Sequence, residues 1–151
     1  FAGVIGLPIA LGLPWLTVVL GFLLMHFIAG AILTLVFQLA HTVEGTDHPM
    51  PDARGVIADD WAAHQMRTTM DFSPGNPVIG WYVGGLNYQI EHHLFPRVSH
   101  VHYPAIAPIV ERTAREFGLP YMVNRTLGDA LRSHFSLMRR IGLPSLNEAI
   151  G

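Results

Sequence analysis

The chain has 151 residues, half of them hydrophobic and 13% charged, with a net charge of −2, against roughly 25% charged in an ordinary soluble domain. It is one domain's worth of material, and with no basic excess it offers nothing for a nucleic-acid partner. Lysine and cysteine are absent, which excludes disulfides, thiolate metal sites and cysteine nucleophiles. Nine histidines in so short a chain make metal or proton chemistry the first question to ask.

The charge deficit is concentrated at the start. Residues 1–43 carry no Asp, Glu, Lys or Arg, and every Arg lies from Arg54 onward. As one helix, residues 1–40 would run about 60 Å, twice a ~30 Å hydrocarbon core, so a break is predicted at Gly12-Leu13-Pro14. Trp15 to Ala40, about 39 Å, then spans the bilayer, while Phe1 to Gly12, about 18 Å, reads as the end of a span that begins earlier. A start at Phe1 rather than Met agrees with a fragment. Residues 1–41 are therefore expected to form a transmembrane hairpin with its first span truncated. A signal peptide lacks its basic region here, and a buried hairpin would need a far larger soluble protein around it. Both ends of a hairpin lie on one membrane face, and the arginines of residues 42–151 place that face in the cytoplasm by the positive-inside rule. The expected fold class is mainly α: the hairpin, then a cytoplasmic helical cap.

Four helices are expected in that cap. Ile57 to Met70 opens near Asp59 and Asp60. Val78 to Phe95 follows and stops at Pro96. Pro104 to Phe117 has Pro in its first turn and Gly118 after its end. Thr126 to Ile141 is capped by Thr126 with Asp129, carries Leu127, Leu131, Phe135 and Met138 on one apolar face, and ends at Gly142 and Pro144.

Gln89, His92 and His93 fall at i, i+3 and i+4 of the second cap helix, within one arc of about 100°. Three donors on one helical turn suit a metal, and imidazole accepts iron, zinc, copper or nickel. The same spacing is compatible with an incidental pair on a surface helix. Glu91 points to the opposite side. His41, where the apolar run ends, is a polar residue at the membrane boundary and so a functional candidate; the alternative is an interfacial histidine reaching for headgroups. Gln38 lies one turn before it. His26, mid-span, is expected to be neutral and bonded to an adjacent helix. His100 and His102 read as structural, and His134, among arginines, as solvated.

Gly-Gly-Leu-Asn-Tyr-Gln-Ile-Glu-His-His-Leu-Phe-Pro at 84–96, with Arg-Val-Ser-His-Val-His-Tyr-Pro after it, resembles the third histidine box of membrane fatty-acid desaturases. Asp-Trp-Ala-Ala-His-Gln-Met-Arg-Thr-Thr at 60–69 and Phe-Gln-Leu-Ala-His at 37–41 fit the same family, so the resemblance covers nearly the whole chain. A Gln at the first box position is typical of the front-end and linoleoyl-CoA-type branch. The resemblance implies an O₂-dependent acyl desaturase with a di-iron centre. It implies iron ligation by His92 and His93, a ligand at His41, and Gln89 standing where other branches have histidine. The two earlier boxes of the family are missing, which implies that they lie upstream and that the fragment alone is inactive.

Dehydrogenating an unactivated methylene is beyond any side chain, so the metal must carry that step. His64, Asn87 and Glu91 are candidates for orienting the ligating imidazoles. Arg67 and Arg97 are candidates for a phosphate-bearing carrier, coenzyme A or a phospholipid, or else ordinary surface arginines near a membrane. No haem, flavin or nicotinamide signature occurs, so electrons are expected from an external donor of cytochrome or ferredoxin type. Two other readings stand beside this one: a membrane di-iron acyl or sphingolipid hydroxylase, and a non-catalytic membrane protein whose histidines are structural or bind zinc.

Overall fold

A computed structural model describes residues 1–143. The chain divides into two compact units, Phe1–Leu35 and the residues from Val36 onward. The first opens with a π-helical turn over Ala2–Gly6, continues as α1 (Leu7–Ala10) and breaks. Gly12 takes φ +95° at the break, a conformation that costs glycine nothing, and Pro14 keeps Leu13 out of the helix. Helix α2 (Trp15–His41) then runs 27 residues, about 40 Å at 1.5 Å per residue. The predicted break and the predicted start at Trp15 are both observed.

Leu20, Leu24, Phe27 and Leu33 of α2 are each more than half exposed. A helix apolar on all sides and uncovered by its own chain is long and apolar enough to cross a membrane. Among the described residues His26 bonds within its own helix, its Nδ1 donating to the Phe22 carbonyl one turn back at 2.9 Å.

The second unit takes the last turn of α2 as its first element. It continues through α3 (Trp61–Thr68), β1 (Asp71–Phe72), α4 (Pro77–Tyr82), α5 (Gln89–Leu94), α6 (Tyr103–Glu116), β2 (Val123–Asn124) and α7 (Leu127–Ile141), with a 3₁₀ turn over His100–His102. The strands pair in parallel, Asp71 with Val123 and Phe72 with Asn124. One core gathers Leu39, Ala40, Phe72 and Ala130, and another Met66, Ile90, Val110 and Ala114. Burying side chains such as Phe72 and Ile90 is worth about 2–3 kcal/mol each. The first core joins the end of α2, β1 and α7, and the second joins α3, α5 and α6.

Three expectations change. Helix α3 is shorter than Ile57 to Met70, because the Asp60 carboxylate caps the Ala63 N–H at 2.9 Å and starts the helix there. The single helix Val78 to Phe95 is two, since Gly84 and Gly85 between α4 and α5 take φ +62° and +78°. Helix α7 buries Ala130, His134 and Leu137; of the apolar face read from its sequence, Leu127 and Leu131 pack against the core and Phe135 is exposed. His134 is therefore buried, not solvated, and its Nδ1 bonds the Thr42 carbonyl at 2.7 Å. The Thr126 cap of α7 is present, with its hydroxyl accepting from the Asp129 N–H at 3.1 Å; Pro144 lies outside the described residues.

Candidate metal centre

Helix α5 is six residues long, too short to hold itself, and its neighbours define it. A Cβ on Gly85 would sit 2.5 Å from His100 Cβ, so only glycine lets the loop turn into α5. The Asp71 carboxylate accepts the Ile90 N–H in the first turn at 2.9 Å. After Phe95 the chain meets Pro96 and the helix stops. Gln89 and His93 then share one face at i, i+4, and Glu91 takes the other, as expected.

The side chains on the first face form a continuous donor–acceptor chain with the end of α2 and with α3. The Gln89 amide NH₂ lies 3.4 Å from His41 Nε2 and 3.3 Å from His93 Nε2, although Gln89 and His41 are 48 residues apart in sequence. On their far sides, His41 Nδ1 donates to the Thr68 carbonyl at 3.3 Å and His93 Nδ1 to the Gln65 Oε1 at 2.6 Å. Both imidazoles are thus Nδ1–H tautomers, and both Nε2 lone pairs converge on one point. The rings lie 5.0 Å apart. Burial first, then the charge that a protonated His41 or His92 would add, lower the His93 imidazole to about 4. It is neutral at physiological pH, as a metal ligand must be.

Two aimed imidazoles and one carboxamide fit part of a coordination sphere for a nitrogen-accepting metal. Among the described residues no group of three His, Cys, Asp or Glu side chains is placed to hold an ion. His92 stands beside the two imidazoles. Its ring is 5.9 Å from that of His93, and its Nδ1 bonds the Tyr103 hydroxyl at 3.3 Å rather than Gln89.

The opposite face of α5 is sealed. Asp71 and Glu91 are fully buried, and the Tyr121 hydroxyl lies 2.9 Å from Asp71 Oδ2 and 3.0 Å from Glu91 Oε1. One hydroxyl proton serves two carboxyl groups, while Glu91 Oε2 is buried without a partner. Burial and the charge of Glu91 push Asp71 well above the usual carboxylate range, and burial raises Glu91. Both carboxyl groups are thereby held toward their protonated forms. Burial and the two acids also raise the Tyr121 phenol, so it stays a donor.

The remaining candidates scatter. His64 sits on α3 with Nδ1 buried and unbonded, one residue from the Gln65 that contacts His93. Asn87 is buried and donates to the Ser73 carbonyl at 3.3 Å, bracing the loop before α5. Arg67 pairs with Asp59 at 3.4 Å, and Arg97 is exposed. Gln38 Oε1 is buried without a partner. An apolar cavity of about 480 Å³ between α3, the end of α5 and α6 is lined by Met66, Leu94, Ile106, Val110 and Leu119; His41, Gln89, His92 and His93 do not line it. Sequence reasoning missed Gln65, Asp71, Tyr103 and Tyr121. Gln65 adjoins a flagged histidine, but its partner is 28 residues away.

A family model described as fatty acid desaturase matches residues 1–125. The chain is 43% identical over 144 residues to the sn-1 linoleoyl-lipid 6-desaturase of Arthrospira platensis, covering 95% of this chain and 39% of that protein. It is 50% identical over 118 residues to the acyl-lipid (8-3)-desaturase of Physcomitrium patens, covering 78% of this chain and 24% of that protein. With the acyl-lipid (8-3)-desaturase of Mortierella alpina the identity is 41% over 131 residues, 87% of this chain and 29% of that protein. The chain thus spans two fifths or less of these curated relatives. No solved structure matches.

Proposed function

The chain belongs to the fatty acid desaturase family, and on that premise we propose that it is part of a membrane-bound desaturase of the front-end kind, introducing a double bond into a lipid-linked acyl chain with O₂ at a di-iron centre. One observation carries the reading: His41 and His93, from separate elements, aim their Nε2 lone pairs at one point occupied by the Gln89 amide. Iron bound there supplies O₂ activation and the abstraction of hydrogen from an unactivated methylene.

This chain's residues hold and aim. His41 and His93 would hold the iron through Nε2, and His92 through its own Nε2 while its Nδ1 bonds Tyr103. The Gln89 carboxamide, between the two Nε2 atoms, would offer its oxygen as a further donor. The neutrality of His93 lets it bind without first giving up a proton. Residues of the protein outside this chain complete the ligand set, in keeping with the share of its relatives that the chain spans. Residues 1–41 form the membrane hairpin, residues from 42 onward face the cytoplasm, and an external carrier of cytochrome or ferredoxin type delivers electrons. The names of the relatives favour a lipid-linked acyl group over acyl-CoA. Arg97, exposed, suits a phosphate headgroup better than Arg67, which Asp59 already engages.

The test is product analysis of the full-length protein in membranes, supplied with a perdeuterated acyl lipid, a reductant and O₂. An O₂-dependent product that has lost a pair of deuterons and gained a double bond supports the reading. A hydroxylated product replaces it with the hydroxylase, and an inert protein carrying zinc overturns it.

A further inference from the structure

The convergence of His41 and His93 depends on atoms that are not ligands. A neutral imidazole carries its proton on either nitrogen, and the hydrogen bond made by one nitrogen decides what the other offers. For His93 that bond is to Gln65 Oε1, at 2.6 Å. For His41 it is to the Thr68 carbonyl, at 3.3 Å. Both acceptors belong to α3: one is the Gln65 side chain, the other the carbonyl of its last residue.

Helix α3 is built for this. Its start is set by the Asp60 cap, and its end leaves the last carbonyls without partners inside the helix. Thr68 spends its carbonyl on His41, and Arg67 spends its own on the Asp47 N–H at 2.8 Å. Two residues past the helix, the Met70 N–H bonds the Ala40 carbonyl at 2.9 Å, which ties the end of α3 to the end of α2 next to His41. The backbone thus fixes α3 against His41, and among the described residues Gln65 is the α3 side chain that extends this hold to His93. A carboxamide oxygen accepts but does not ionise, so it fixes the tautomer without adding charge.

We propose that Gln65 is a positioning residue for the metal centre: its carboxamide oxygen holds His93 in the Nδ1–H tautomer and orientation that presents Nε2 to the ion. The assignment rests on the metal reading above, and its test separates the two.

Full-length protein carrying Gln65→Leu, Gln65→Glu or His93→Ala is purified with iron and challenged with a graded chelator; bound iron is read by elemental analysis, and thermal unfolding is followed on the metal-free forms. Leu removes the acceptor at similar volume, and Glu restores an acceptor at the same reach. Gln65→Leu is expected to weaken iron retention about 10–100-fold, the usual cost of losing a ligand's hydrogen-bond partner, and Gln65→Glu to keep it within a few-fold, with unfolding unchanged. Iron retention by Gln65→Leu at the parental level overturns the assignment. So does equal loss in the Leu and Glu variants, which marks a packing role. Undiminished iron in His93→Ala overturns the ligand reading beneath both. If Gln65→Leu does not accumulate in the membrane, Gln65→Met makes the same deletion with a straight side chain.

Discussion

The two faces of α5 solve opposite problems within one turn of helix. The Gln89–His93 face keeps Gln89 buried and His93 half-buried, uncharged and aimed, with the His41 and His93 Nε2 atoms directed at a shared position. The Asp71–Glu91 face buries two acids completely and supplies one hydroxyl between them. The first spends its hydrogen bonds on the outer nitrogens so that the inner ones remain available. The second traps a proton to keep like charges apart. Helix α5 contributes to both groupings, Gln89 and His93 to one and Glu91 to the other, and their neighbours on α2, α3 and β1 make the difference.

The largest effect expected is functional. His93→Ala should remove at least ~100-fold of turnover in the full-length protein, more than the loss of a ligand's hydrogen-bond partner, while Glu91→Gln on the other face should stay within a few-fold; a radiolabelled-product assay checks both. Equal losses would erase the distinction between the faces. Next, Gly85→Ala should destabilise the fold by about 3 kcal/mol, combining a left-handed backbone with a clash against His100, measured by chemical unfolding. Tyr121→Phe removes the shared hydroxyl and should cost about 2 kcal/mol, the price of stranding buried acceptors. Parental stability there would mean that the acids do not depend on Tyr121.

The faces should also part in their response to pH when the protein is metal-free. The His93 imidazole is lowered on folding, so its contribution is full above its ordinary 6.5 and drains as pH falls toward about 4. Asp71 and Glu91 are raised, so theirs is full below their ordinary values of 3.8 and 4.5 and is lost as pH rises beyond them. Thermal midpoints against pH should therefore show His93→Ala softening the acid decline and Asp71→Asn flattening the decline on the alkaline side. The second variant keeps an oxygen for the Ile90 N–H.

How much of this could be read in advance depended on range. The long helix was legible because residues 1–43 carry no charge, and a break had to fall near Pro14. Gln89 and His93 were legible as neighbours because i, i+4 is a local relation that survives inside a six-residue helix. The break at Gly84-Gly85 was passed over although a glycine pair marks a turn, because a single helix was read across Val78 to Phe95. Gln65 and Tyr121 were missed for a different reason: their partners lie 28 and 30 residues away, and no spacing rule connects them. His134 misled through its arginine neighbours in sequence, while the α7 face that it shares with Ala130 and Leu137 points inward.

The central claim is that His41 and His93 present their Nε2 atoms to one metal. Elemental analysis of the purified full-length protein beside its His41→Ala and His93→Ala variants measures this directly. The account predicts iron in di-iron stoichiometry in the parent and its loss in each variant, with membrane insertion intact in both. Zinc or no metal in the parent, or full iron retained when either imidazole is removed, would contradict it.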